Sequence, residues 1–228
     1  MKNNEDWAKA TFGYEFADNT LLARALTHRS AAAENNERLE FLGDAVLDFV
    51  ISAAVFQRRP NAREGELSRL RATLVRDTTL AEMAAVLDVG DRMVLGSGEK
   101  KSGGHRRESI LADALEALFG AIYLDSGFES ADTVIRTLYR DRLDNLPDAD
   151  TLKDPKTRLQ EHLQARGLGL PRYTTLRTSG KAHEQRFEVS CQVETLAKSF
   201  RGEGSSRRDA EQRAATLALD ALGENGSE

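Results

Sequence analysis

Along the first two thirds of the chain, apolar residues recur at spacings of three and four, which predicts amphipathic α-helices. Leu39, Leu42 and Val46 follow this spacing and indicate a long helix that begins near Asn36. Asp18, Asn19 or Thr20 is suited to cap an earlier helix that runs to about Thr27. Further helices are predicted near residues 64–76, 78–88, 109–125 and 129–143. The N-terminal part is therefore predicted to be all-α.

The hydrophobic period changes from helical to alternating near the end of the chain. Phe187, Val189, Cys191 and Val193 alternate with polar residues, which predicts a strand with one buried face. Neighbouring strands are predicted over 173–178 and 196–201, and helices over about 155–166 and from about 207 onwards. The predicted order is α-β-β-β-α, an α+β domain with an antiparallel sheet and helices on one face.

A proline-containing segment separates these two patterns and is interpreted as an interdomain linker. It runs from Asn145 to Pro155 and is rich in turn-forming residues. The sequence therefore predicts an all-α domain over 1–147, a linker over 148–154 and the α+β domain over 155–224.

Charge is divided unevenly between the two predicted domains. Residues 1–150 carry 19 basic against 26 acidic side chains, whereas residues 151–228 carry 13 against 11. An acidic part joined to a mildly basic part suggests metal-binding carboxylates in one and contact with a polyanion in the other. A lone cysteine, Cys191, and the absence of an N-terminal apolar segment predict a cytoplasmic protein without a membrane span.

Two groups of carboxylates stand at helical spacing in the N-terminal part. Glu37, Glu40 and Asp44 lie three and then four residues apart, which puts them on one face of a helix. Asp113 and Glu116 lie three apart in an otherwise apolar helix, where unpaired charges are costly. Carboxylates of this kind suit Mg²⁺, with Mn²⁺ as an alternative. A solvated acidic face is the competing interpretation, and it is the preferred one for Glu37 taken alone.

The segment Glu37-Arg-Leu-Glu-Phe-Leu-Gly-Asp44 resembles the signature of ribonuclease III. The resemblance extends over nearly the whole chain, and the motifs keep the family's order. These motifs are Thr27-His-Arg-Ser30, Glu64-Gly-Glu-Leu-Ser-Arg-Leu-Arg71, Gly96-Ser-Gly-Glu99 and Ile110-Leu-Ala-Asp-Ala-Leu-Glu-Ala117. The loop over 96–104 lacks the ending of a phosphate-binding loop and is interpreted as a plain loop.

The resemblance implies a role for each acidic residue. Glu40, Asp44, Asp113 and Glu116 match the metal-binding carboxylates, and Asp44 and Glu116 match those usually considered catalytic. Glu37 and Glu64 match acidic positions closer to the cut strand. Phe41 and Leu42 match the dimer contact of the family, although burial in a monomer core would explain them equally well.

A second resemblance lies in the C-terminal part, which is similar to the double-stranded RNA-binding domain. It rests on Gly202-Glu-Gly-Ser-Ser-Arg-Arg208 at a helix start and on Lys156-Thr-Arg-Leu-Gln-Glu161 on the preceding helix. By resemblance, Thr157, Gln160 and Glu161 reach one minor groove and His183 the next. Ser206, Arg207 and Arg208 lie on the phosphates between them, so recognition depends on the shape of the A-form helix.

Together the two resemblances imply a Mg²⁺-dependent endonuclease that acts on double-stranded RNA as a homodimer. The implied products carry 5′-phosphate and 3′-hydroxyl ends with short 3′ overhangs, and the implied substrates include ribosomal RNA precursors and other structured transcripts. Two alternatives stay open at this point. One is an RNA-binding protein without turnover, and the other is a helical metal-binding or scaffold protein with no RNA role.

Overall fold

The computed structural model describes residues 4–148, 151–181, 185–194, 196 and 198–223. The chain divides into two compact units, Met1–Ala149 and Asp150–Glu228.

The regular elements in the described part of the first unit are helices, as predicted, and a single parallel bridge joins Thr27 to Val94. Its helices are α1 (Asn4–Phe12), α2 (Asn19–Ala25), α3 (Glu37–Arg58), α4 (Glu64–Val75), α5 (Asp77–Val86), α6 (Ser97–Lys101), α7 (Glu108–Ser126), α8 (Phe128–Leu138) and α9 (Arg140–Asp144). The α2 cap is Asp18, whose side chain accepts a hydrogen bond from the backbone N–H of Thr20. The helix predicted over 129–143 is two helices, separated at the buried Tyr139.

The core of the first unit is organised around α7, which is buried along most of its length. Leu115, Leu118 and Ile122 are completely inaccessible to solvent, and α3 and α5 pack against this helix. The plain-loop interpretation of 96–104 is wrong, because five of its residues form α6 and Gly104 begins a short 3₁₀ turn. This segment leads directly into the start of α7.

The second unit has the predicted α-β-β-β-α order. It contains α10 (Pro155–Ala165), β1 (Arg172–Ser179), β2 (Arg186–Gln192), β3 (Ser199–Gly204) and α11 (Arg207–Ala221). The sheet is antiparallel in the order β1-β2-β3. Cys191 and Phe200 are buried in one cluster with residues of both helices, and Val189 is also buried, so one face of the sheet is covered.

The third strand lies later than predicted, over 199–204 instead of 196–201. Gly202 and Gly204 belong to this strand and do not form a separate turn. A Cβ at Gly202 would lie 2.2 Å from the carbonyl oxygen of Ala210, so only glycine lets α11 pack this closely on the strand. The turn residues that suggested an early end of the strand are therefore packing residues.

No helix in the described part of the chain has the length and apolar character needed to cross a bilayer.

Candidate active site and RNA-binding surface

Two glycines bring α3 and α7 into backbone contact. A Cβ at Gly43 would lie 1.8 Å from the carbonyl oxygen of Glu116, and a Cβ at Gly120 would lie 2.2 Å from the carbonyl oxygen of Leu39. No other residue type fits at either position without separating the helices. Because Glu40 precedes Gly43 by one turn and Glu116 precedes Gly120 by one turn, this crossing brings carboxylates from both helices together.

Three of the four predicted metal ligands form a cluster at this crossing. Ligand oxygens of Glu40, Asp113 and Glu116 all lie within 4.8 Å of one another. Among the described residues, no lysine or arginine forms an ion pair with any of the three. Asp44 is exposed and lies outside this group, although its charge acts on Glu116. The structure thus joins acids from the two predicted groups, which sequence spacing could not establish.

Ionisation of the cluster is unfavourable, because its surroundings do not neutralise the negative charge that results. Burial, with the charges of Asp44 and Glu40 and then Asp113, raises the pKa of Glu116 to about 8. Burial and neighbouring carboxylates also raise the pKa values of Glu40 and Asp113. Burial and then Asp48 raise the pKa of Asp44. A site that makes several carboxylates difficult to ionise favours a cation among them.

A polar cavity of about 370 Å³ opens beside the cluster. Its lining includes Glu40 and Asp113 together with Asn36, which is only 2% exposed. The Asn36 amide nitrogen is buried and has no hydrogen-bond partner among the described residues. A buried amide without a partner is unfavourable in a protein interior, so it is available to a group that enters the cavity.

Two arginines lie on the wall of this cavity, each beside an acid outside the three-carboxylate cluster. Arg29 donates to Glu37 at 3.2 Å, and Arg107 pairs with Glu99 at 2.8 Å. Arg29 lowers the pKa of Glu40 only as a minor effect against burial. These cations place positive charge at the cavity without neutralising the cluster.

The structure separates Glu37 from Glu64. Glu37 is exposed and lines the cavity. Glu64 is exposed on α4, where it accepts a hydrogen bond from Ser68, and it does not line this cavity. His28 is buried and bonds to Ser30, as expected for a structural residue.

Phe41 is not a monomer core residue, because 80% of it is exposed. Phe49 and Phe56 on the same helix are also largely exposed, at 62% and 67%. With spacings of eight and seven residues, these three side chains follow one side of α3. Leu42 is partly buried. The choice between dimer contact and monomer core is therefore decided against the core for Phe41.

The predicted RNA-binding residues of the second unit lie on α10 and at the start of α11. Thr157 donates its hydroxyl to Asp154, the cap of α10, and Glu161 accepts from Lys153. Gln160 is exposed. His183 lies outside the described residues.

At the start of α11, the Ser206 hydroxyl caps the helix by accepting from the N–H of Asp209. Arg207 and Arg208 follow it and are exposed. Lys156 of α10 and Arg207 both bond to Glu211, so the two cationic helix starts lie side by side.

Several residues of the site were absent from the sequence prediction. Asn36 and Gly43 stand within or beside the signature, but spacing gave them no role. Gly120 offered a signal, because a glycine inside an apolar helix commonly marks a close approach. Glu211 was missed because its pattern resembles an ordinary solvated helix.

The comparisons with known proteins agree with this division. Residues 18–143 match the family described as Ribonuclease-III-like, and residues 155–222 match the double-stranded RNA binding motif. A relative named Ribonuclease 3 from Alkalilimnicola ehrlichii is 56% identical over 222 residues, covering 97% of each chain. One from Pseudomonas aeruginosa is 57% identical over 227 residues, covering 99% of each.

Solved structures are similar to the first unit. The nuclease domain of ribonuclease III from Campylobacter jejuni is 44% identical, with a TM-score of 0.61, and the match covers 64% of this chain and all of that one. A second structure of that nuclease domain is 45% identical, with a TM-score of 0.59, over 60% of this chain and 97% of that one. That second structure is described as showing structural flexibility in a region involved in dimer formation.

Proposed function

Since the chain belongs to the ribonuclease III family and is an endonuclease for double-stranded RNA, we propose that it cuts with Mg²⁺ held by Glu40, Asp113 and Glu116. The observation that carries this proposal is the meeting of these three carboxylates within 4.8 Å at the crossing of α3 and α7. Mn²⁺ is the expected substitute, because it accepts the same oxygen ligands.

The chemistry of the site suits a hard divalent cation. Its donors are carboxylate oxygens, they are partly buried, and their pKa values are raised by burial and mutual repulsion. A bound Mg²⁺ supplies positive charge that polarises the phosphodiester and lowers the pKa of an attacking water. Asp44, whose charge already acts on Glu116, is the proposed fourth acidic participant.

The remaining residues of the cavity are proposed to orient the substrate. The Asn36 amide has hydrogen-bonding capacity that no described residue uses, so it can bind a phosphate oxygen or the attacking water. Arg29 and Arg107 provide positive charge for the RNA backbone. Glu37 and Glu99 hold these arginines in place before RNA enters. Glu64 keeps its proposed place near the RNA by resemblance alone.

The proposed reaction is hydrolysis at phosphorus. Water adds to phosphorus while the bond to the 3′ oxygen breaks, so the products carry 5′-phosphate and 3′-hydroxyl ends. The chain works as a homodimer in which each subunit cuts one strand, and the offset between the two cuts leaves short 3′ overhangs. The exposed Phe41 on α3 is the proposed dimer contact.

The second unit is proposed to bind the duplex by shape. Thr157, Gln160 and Glu161 of α10 face one minor groove, His183 is assigned to the next, and the residues at the start of α11 contact the phosphates between. The proposed substrates are ribosomal RNA precursors and other structured transcripts in the cytoplasm. The single cysteine, buried in the second unit, is consistent with that compartment.

The test is cleavage of end-labelled duplex RNA on a denaturing gel. Wild type with Mg²⁺ should cut, whereas wild type in EDTA and Glu116→Gln with Mg²⁺ should not. Glu82→Gln is the matched control, because Glu82 is an exposed acid of the same unit that pairs with Arg142. Intact RNA in every lane, with duplex binding retained on a native gel, would instead support a binding protein without turnover.

A further inference from the structure

Glu211 is the only buried acid in the described part of the chain. It stands near the start of α11, beside exposed cations, and its side chain is only 11% exposed. An acid in this position is unexpected on a surface that binds a polyanion, because its charge repels phosphate. The hydrogen bonds of its carboxylate indicate a role other than repelling phosphate.

Each oxygen of the Glu211 carboxylate holds one cation, and the two cations come from different helices. Oε2 accepts from Nζ of Lys156 on α10 at 2.5 Å, and Oε1 accepts from Nε of Arg207 on α11 at 2.8 Å. The Lys156 ammonium also lies 4.8 Å from the centre of the Tyr173 ring on β1. The carboxylate thus connects the two helices through their cationic side chains.

The cations stay open to solvent although the acid between them does not. The side chains of Lys156 and Arg207 are 34% and 64% exposed. Glu211 bonds to Nε of Arg207, which leaves the two terminal nitrogens for an anion. Burial alone would raise the pKa of Glu211, but the bonds from Lys156 and Arg207 outweigh burial and hold that pKa below its ordinary value.

We propose that Glu211 is a positioning residue that fixes Lys156 and Arg207 in the arrangement that meets the phosphates of duplex RNA. The inference rests on the proposed role of the α11 start in RNA binding. Long cationic side chains lose rotamer freedom when they bind, and a partner that orders them beforehand reduces this cost. The group keeps a net positive charge, because two cations share one carboxylate.

Two physical effects of Glu211→Gln have opposite signs, and this makes the inference testable. Removing a negative charge beside phosphate strengthens binding if Glu211 acts only through its charge. Removing the partner of both cations weakens binding if Glu211 positions them. The measurement is binding of full-length protein to duplex RNA in EDTA, over a series of salt concentrations. We expect roughly tenfold weaker binding. The slope of the logarithm of the binding constant against the logarithm of the salt concentration should become shallower by about one for each phosphate that a cation no longer reaches.

Glu188→Gln is the matched control for charge. Glu188 lies on β2 and pairs with Arg201 on β3 at 3.4 Å. It alternates with the buried Val189, so it lies on the face of the sheet away from the helices. We expect this variant to bind RNA as tightly as wild type or slightly more tightly. Equal or tighter binding by Glu211→Gln would overturn the inference.

A double substitution separates positioning from a general loss of structure. In a chain that carries Lys156→Gln and Arg207→Gln, Glu211→Gln should cause no further loss of binding, because its partners are absent. The same loss in both backgrounds would show a merely structural role and overturn the inference. If wild type itself fails to bind duplex RNA, the proposed function is wrong. If wild type and Glu211→Gln bind duplex RNA equally well, the proposed function stands and only the inference about Glu211 is wrong.

Discussion

Gly43 and Gly120 face each other where α3 and α7 cross, so closely that a Cβ at Gly43 would lie 2.9 Å from the backbone nitrogen of Gly120. The same Cβ would overlap the carbonyl oxygen of Glu116 at 1.8 Å. The separation of the acidic groups is therefore determined by the absence of two side chains. The distance between the proposed metal ligands depends on this contact as much as on the ligands themselves.

We expect Gly43→Ala to impair both stability and cleavage. The new methyl group meets backbone atoms that cannot rotate away, so the helices must separate, at a cost of about 1–3 kcal/mol or more in the free energy of unfolding. Gly65→Ala is the stability control, because its Cβ would meet only Arg69 at 3.5 Å. That change should stabilise the protein by about 0.5–1 kcal/mol. Urea unfolding measures the stability of both variants, and the cleavage gel measures the activity of Gly43→Ala. A Gly43→Ala variant as stable as wild type would contradict the close contact.

Sequence patterns predicted the helical nature of the first unit and the strand order of the second, because burial follows the hydrophobic period. They did not predict the break at Tyr139. This residue is completely buried and its hydroxyl donates to the carbonyl of Leu74, so the apolar spacing continues through the interruption. A break that keeps the hydrophobic positions in phase leaves no signal in the period.

The candidate site was predictable only in its acids. Carboxylates at helical spacing are conspicuous in an apolar helix, whereas Asn36 gains its significance from burial and from a missing partner. The proposed role of Glu211 likewise depends on its hydrogen bond with Lys156, which lies 55 residues earlier in the chain. Properties of this kind arise from contacts between distant segments, which no local pattern records.

The stability of the metal-free protein should fall as the pH rises. Burial, with Asp44 and Glu40, raises the pKa of Glu116 from 4.5 to about 8. Between these values the folded protein keeps a proton that the unfolded chain has released, so the free energy of unfolding decreases with increasing pH. We expect this decrease in EDTA between about pH 5 and pH 8.

Glu116→Gln should make that decrease shallower, whereas Glu82→Gln should keep the wild-type slope. Mg²⁺ should oppose the decrease, because it binds the deprotonated carboxylates. Thermal unfolding at several pH values measures each effect. Equal slopes for wild type and Glu116→Gln in EDTA would show that Glu116 does not keep its proton in the folded protein.

Glu37 and Glu116 should differ sharply in their effect on cleavage. Glu37 is exposed and pairs with Arg29, whereas Glu116 belongs to the carboxylate cluster. Loss of a proposed metal ligand removes several kcal/mol of charge stabilisation, which corresponds to roughly a thousandfold slower cleavage for Glu116→Gln. Loss of an exposed ion pair is worth less than about 1 kcal/mol, or less than about tenfold for Glu37→Gln. Single-turnover cleavage rates at saturating Mg²⁺ compare the two, and equal losses would show that Glu37 contributes as much to cleavage as the proposed ligand Glu116.

Phe41→Asp should dissociate the proposed homodimer. Phe41 is 80% exposed in one subunit, and covering such a ring by a partner contributes about 1.5–3 kcal/mol for each copy. Two symmetric copies then predict a dimer that is weaker by about a hundredfold or more. Val86→Asp is the control, since Val86 is 83% exposed on α5. Sedimentation velocity should show a monomer for Phe41→Asp and a dimer for Val86→Asp, and a dimer for both would exclude Phe41 as a contact.

The first unit alone should still cut duplex RNA at low salt. Residues 1–149 form a compact unit that contains all the proposed acidic residues, and the Campylobacter jejuni nuclease domain was solved as a chain of comparable extent. Without the second unit, fewer cationic side chains meet the phosphates, so the fragment should bind RNA more weakly than the full chain. Its affinity for RNA should also fall less steeply as the salt concentration rises. The measurement compares cleavage by residues 1–149 and by the full chain at increasing salt. A folded, dimeric fragment that binds duplex RNA at low salt but never cuts it would show that the second unit does more than bind RNA.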